Sequence, residues 1–184
     1  MKPYKQEIAD YINNVLDKKR PEFSNMAVCP FAAPELANNK LMIGMIGEDD
    51  KDLRELVEQF AASDYESAII ALPGELSPDD TKPFQIFVNK LLKSLGLTEY
   101  KNICFNPNDE VNIDGFNPRS HAPYFLINIA HRKVLNKAHK SLRRTEYYDK
   151  LNKAYREFLK INEKDKKSKY EQKKEATKGS PEKA

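Results

Sequence analysis

Between Leu41 and Phe105, three strand-length apolar runs alternate with two amphipathic segments of helical length. No other feature constrains the fold as tightly. The runs are Leu41 to Ile46, Ser67 to Leu72 and Tyr100 to Phe105. The first is bounded by Gly47 and acids, and the second ends at Pro73-Gly74. Such runs are too short for helices and read as buried strands. Residues 51–63 carry Leu53, Leu56, Val57 and Phe60 on one stripe. Residues 80–95 turn Phe84, Phe87, Val88, Leu91 and Leu92 inward, with Gly96 where a C-cap glycine belongs. Strands separated by helices predict βαβ units. The expected fold is α/β: a small three-layer domain with a mainly parallel sheet (41–46, 67–72, 100–105) flanked by helices.

Further helices are expected outside this block. Residues 4–19 repeat apolar positions at helical spacing until Pro21, and residues 22–40 read as irregular. Residues 106–122 form a long polar loop, a length that compact domains often reserve for function. Pro123 opens an expected helix over 123–143, and a last helix is expected over roughly 145–162. The reading is one α/β domain over 1–162 and a Lys-rich, disordered tail over 163–184.

Charge sharpens that division. The chain of 184 residues has 31 basic and 28 acidic side chains, net +3. Residues 163–184 carry eight Lys and five acids, so the remainder is neutral. A neutral body is not the profile of a dedicated duplex-DNA binder. Two cysteines 75 positions apart cannot form the framework of a small secreted scaffold. The first residues enter no apolar run of signal-peptide length, and no run reaches the roughly 20 residues of a membrane helix. A cytoplasmic protein with no membrane association is expected.

Several chemistries lack their motifs. The six glycines cannot be arranged as a dinucleotide or P-loop phosphate cradle, and HExxH, CxxC and GxSxG are absent. No cofactor is indicated. Residues 110–115 imitate the start of an EF-hand loop, but Glu110 and His121 occupy its first and twelfth positions. No metal is assigned, and the segment reads as a turn.

Three features can carry chemistry. Cys29 precedes Pro30 at a helix start, where free backbone N–H groups favour a thiolate. Equally, it suits a small buried hydrophobe. Asn117-Pro118-Arg119-Ser120-His121 precedes the expected helix 123–143 and suits either an anion site or a capping loop. Finally, no acid occurs between Asp114 and Glu146, whereas Arg132, Lys133, Lys137, Lys140, Arg143 and Arg144 do. Lys133, Lys137, Lys140 and Arg144 follow helical spacing, which predicts a basic amphipathic helix. Its charged face either meets nucleic acid, an anionic surface or an acidic partner, or is simply solvated and neutralised by acids elsewhere.

Taken in order, Cys29-Pro-Phe-Ala32, Ala71-Leu-Pro-Gly74, Phe105-Asn-Pro107 and Asn117-Pro-Arg-Ser120 with Pro123-Tyr124 resemble the pattern of the uncharacterised bacterial proteins grouped as DUF1415. The likeness spans roughly residues 25–135, with Asn106 where that pattern has His. It implies that Cys29, Asn106, Arg119 and Ser120 line one pocket. It implies no activity.

Two functions are therefore expected as alternatives. One is a pocket beyond the strand ends that binds or transforms a small anionic metabolite. There Cys29 and His121 are catalytic, and Asn106, Asn108, Arg119 and Ser120 bind substrate. The other is a non-catalytic protein that uses helix 123–143 and the Lys-rich tail for nucleic acid or an acidic protein.

Overall fold

A computed structural model describes residues 2–110 and 113–147. Its fold is mixed α/β. Helix α1 (Pro3–Tyr11) opens on Pro3 and widens into one π-helical turn over Ile12–Leu16. Two short strands follow, β1 (Lys19–Arg20) and β2 (Met26–Ala27), paired antiparallel. Helix α2 (Ala32–Ala37) then leads to the main sheet. Residues 22–40 are therefore more ordered than their sequence suggests.

The three expected strands form where expected: β3 (Leu41–Met45), β4 (Ser67–Leu72) and β5 (Tyr100–Phe105). So do the helices between them, α3 (Leu53–Ala61) and α4 (Pro78–Ser94), although Phe87, expected inward, is exposed on α4. Asp52 caps α3 reciprocally. Its side chain accepts from the Glu55 N–H at 2.9 Å, while the Glu55 carboxylate accepts from the Asp52 N–H at 3.0 Å. Such a box satisfies two orphan donors and starts the helix at a defined residue.

Two expectations are corrected. The sheet is not mainly parallel, and residues 123–143 are not one helix. Phe125–His131 is a fourth strand, β6, and only Arg132–Leu142 is helical, as α5. Strand order is β3-β4-β6-β5, with β3–β4 parallel and both β4–β6 and β5–β6 antiparallel. It follows that β3, β4 and β5 run the same way and β6 is inserted against them. The reason for the misreading is local. Helical spacing picks out Tyr124, Ile127 and Val134, but Phe125-Leu-Ile-Asn-Ile-Ala is continuously apolar apart from Asn128. A central strand buried on both faces needs that pattern. Residues 145–147 turn rather than begin a helix. The rest of the expected 145–162 helix and the 163–184 tail lie outside the described residues.

One face of the sheet packs Met42, Ala68, Ile70, Cys104, Phe125, Ile127 and Ile129 against Leu53, Leu56, Val57 and Phe60 of α3 and Val88 and Leu92 of α4. Gly44 belongs to this face, and a Cβ there would sit 3.2 Å from Leu56. The other face receives the N-terminal segment, where α1 and α2 contact β3. On that side the Ser67 hydroxyl donates to the Glu35 carboxylate. Among the described residues no helix is long and apolar enough to cross a membrane.

Candidate functional site

Because β3, β4 and β5 share a direction, their C-terminal ends lie at one end of the sheet, with the start of β6. The 106–122 loop closes that end through buried polar groups. Asn106 is fully buried, and its Nδ2 lies 3.0 Å from the Leu76 carbonyl, 3.1 Å from the Ser77 carbonyl and 3.0 Å from Thr81 Oγ1. Its Oδ1 accepts from the Asn108 N–H at 2.9 Å. Thr81 Oγ1 in turn donates to Asp109 Oδ1 at 3.0 Å. The side chain of Asn106 thus ties the loop after β5 to the start of α4.

Arg119 joins the same network. It is 3% exposed, and its guanidinium is ion-paired with the Asp109 carboxylate. Asn117 donates to the Asp109 carbonyl at 2.7 Å and accepts from the Arg119 N–H at 3.0 Å. The Ser120 hydroxyl donates to the Asn117 carbonyl at 2.9 Å. At the tip of the loop, Asp114 and Gly115 both have positive φ and join Ile113 to Phe116, which exchange backbone hydrogen bonds at 2.8 and 3.0 Å. Two consecutive residues in that region favour Asp-Gly. The expected turn is therefore a tight one.

Asn106, Asn108, Arg119 and Ser120 thus share one hydrogen-bonded network. Sequence reasoning singled out Asn117 but missed the hub, Asp109, and the link Thr81. One of three acids in a polar loop, Asp109 carries no sign of the arginine it will meet ten residues later. His121 is exposed and stacks on Phe116 at 5.8 Å between centroids, and the Arg20 guanidinium lies 3.5 Å from the same ring.

Beside this network, a recess of about 140 Å³ is lined by residues including Gly74, Glu75, Leu76, Asn106, Asn108 and Tyr124. Among the described residues the lining contains a carboxylate and no Lys, Arg or His. Nearby, the Tyr124 hydroxyl donates to the Glu7 carboxylate.

Cys29 belongs to the N-terminal layer, and its N–H donates to the Leu16 carbonyl at 2.8 Å. It does not line this recess. Burial pushes the Cys29 thiol above its ordinary value, against the pull of the Phe31 and Ala32 N–H groups. The expected helix-start effect is present but loses to desolvation. Cys104, in the core, is pushed up to about 12 by burial.

Helix α5 is built differently. Arg132, Lys133, Lys137, Lys140, Arg143 and Arg144 are all exposed on it and on the turn that follows. No acid stands in its first turn. Arg132 Nε donates to the Thr98 carbonyl at 3.0 Å. His139 is pushed below its ordinary value, first by burial and then by the Arg143 and Lys101 charges. Lys101 of β5 therefore extends the same positive field.

No family model, curated protein or solved structure matches this chain.

Proposed function

We propose that the protein is a non-catalytic binding module whose α5 surface takes the phosphate backbone of a nucleic acid. One observation carries the reading: six exposed cations on α5 and its closing turn, in a segment without a single acid from 115 to 145. Arg132 and Lys133 sit at the N-terminal end of the helix, where its dipole opposes positive charge. Helix stability gains nothing from that placement. A polyanion spanning the helix does. Lys133, Lys137 and Lys140 project as one row, continued by Arg144, and such a row tracks a charged backbone without reading bases.

A small-anion pocket has less support. The carboxylate that Arg119 meets is the chain's own Asp109, and among the described residues the only charged side chain lining the adjacent recess is Glu75.

The test is fluorescence anisotropy of a labelled oligonucleotide titrated with protein at several salt concentrations. If four phosphates are neutralised, log K falls against log[salt] with a slope of roughly −3.6 on duplex and −2.8 on single strand. Replacing Lys133, Lys137 and Lys140 by Gln removes most of that slope while leaving the fold intact. A slope near zero sinks the proposal. Salt-dependent binding to polyglutamate but not to oligonucleotides moves the partner class to an acidic protein.

A further inference from the structure

The free edge of the sheet at β3 offers a second, unrelated binding feature. Ile46 N–H donates to the Ala71 carbonyl at 2.9 Å, and Ser67 N–H donates to the Lys40 carbonyl at 3.3 Å. In a parallel ladder, alternate residues of one strand bond the same neighbour. The even-numbered residues 40 to 46 therefore face β4. Leu41, Ile43 and Met45 direct their N–H and C=O groups to the side where, among the described residues, the sheet has no further strand. The opposite edge is treated otherwise. There the α4 residue Gln85 bonds the Asn102 carbonyl of β5 at 3.3 Å.

The β3 edge is also recessed. A groove of about 160 Å³ runs along Met42, Ile43, Gly44 and Met45. One wall is the start of α1, with Tyr4 and Lys5. The other comes from the α3 side, with Leu56, Gln59 and Tyr65. Lys2 closes one end by pairing with Glu48 and Asp49. An unpaired edge that stands proud invites another sheet. One sunk between two helical walls excludes a sheet and admits a single extended segment.

We infer that β3 captures an extended, acidic peptide segment of a partner by adding it as a further strand. Backbone hydrogen bonds to Ile43 and Met45 hold the segment, as in other strand-addition modes. The walls select its side chains. Lys2, Glu48 and Asp49 together carry one negative charge, and Lys5 and Lys51 bring the lining to a net +1. Lys51 Nζ donates to Gln59 Oε1 at 3.0 Å, which holds it over the groove. Successive residues of an added strand face opposite walls. Two adjacent glutamates therefore reach Lys5 on the α1 wall and Lys51 on the α3 wall, and apolar neighbours meet Tyr4 on one side and Leu56 and Tyr65 on the other.

The probes are two synthetic heptapeptides of valine, one with a central Glu-Glu pair, the other with a central Lys-Lys pair. Binding is read by polarisation, and amide hydrogen exchange is read residue by residue on the full chain. The glutamate peptide binds about tenfold more tightly than the lysine peptide, and the double variant Lys5→Glu/Lys51→Glu reverses the order. Exchange at Ile43 and Met45 slows on binding, whereas Met42 and Gly44, already bonded to β4, change little. Ile43→Pro removes one outward donor and weakens binding of both peptides. The charge-reversed variant serves if that proline unfolds the strand. Binding that leaves Ile43 and Met45 exchange unchanged overturns the proposal. So does exchange there that is already as slow as at Met42 in the free protein. Protection that rises with protein concentration alone assigns the edge to a second copy and also overturns it.

Discussion

Arg119 shows how a side chain with every attribute of a ligand-binding residue is used internally. It was legible in the sequence as a cation beside a polar loop, but Asp109 was not legible as its partner. Once buried, the charge needs a counter-charge, and the loop folds to bring one. Removing one member of a buried pair leaves the other uncompensated, at a cost of about 3–5 kcal/mol. Arg119→Ala is expected to lower stability by that amount in urea unfolding. The double variant Arg119→Met/Asp109→Asn recovers most of it, and equal losses in the two variants would refute the pairing. Glu35 makes a separate test. Burial raises its carboxyl above the ordinary range, while the Ser67 hydroxyl pulls the other way. The folded state then binds this proton more tightly than the unfolded state does. Its contribution to stability is full below the ordinary carboxylate range and declines as pH rises through the folded value. Glu35→Gln keeps an acceptor for Ser67 and is expected to stabilise the protein at pH 7. It also flattens the fall in melting temperature between pH 4 and pH 7, and an unchanged profile would show that the carboxyl is solvated after all.

At the scale of elements, helices α3 and α4 and strands β3, β4 and β5 were readable because each carries its periodicity within its own residues. Strand β6 was not. Its seven residues adjoin a basic helix, and spacing measured across the junction blends two periods into one apparent helix. What distinguishes them is burial: Ile127 and Ile129 are fully buried, whereas α5 buries little beyond Leu142. Substitution reads this directly. Ile127→Ala empties a site in the closed core and is expected to cost about 2–5 kcal/mol. Ile86→Ala, on the outer side of α4 at 46% exposure, is expected to stay within about 0.5 kcal/mol. Similar losses at both positions would contradict the strand assignment. The pairing order was beyond local reading for another reason. Which strand neighbours which depends on contacts across dozens of residues, and no single segment encodes it.

For the molecule as a whole, the central position of β6 has a consequence for synthesis. Of the strands among the described residues, the last to emerge from a ribosome is the one that joins β4 to β5. Until His131 has left the exit tunnel, β5 has no partner and β4 presents a bare edge of Ile69, Ile70 and Ala71. Nascent chains therefore carry a gap in the middle of the sheet, with apolar surface on both sides of it, for the time needed to add the last strand. Surfaces of that kind aggregate or recruit chaperones. A chain ending at 122 is expected to be insoluble or chaperone-bound on expression, whereas one ending at 147 is soluble. Adding a peptide of residues 123–132 during refolding of the shorter chain should rescue it. If the 122-residue chain is soluble and monomeric unaided, the sheet does not wait for β6.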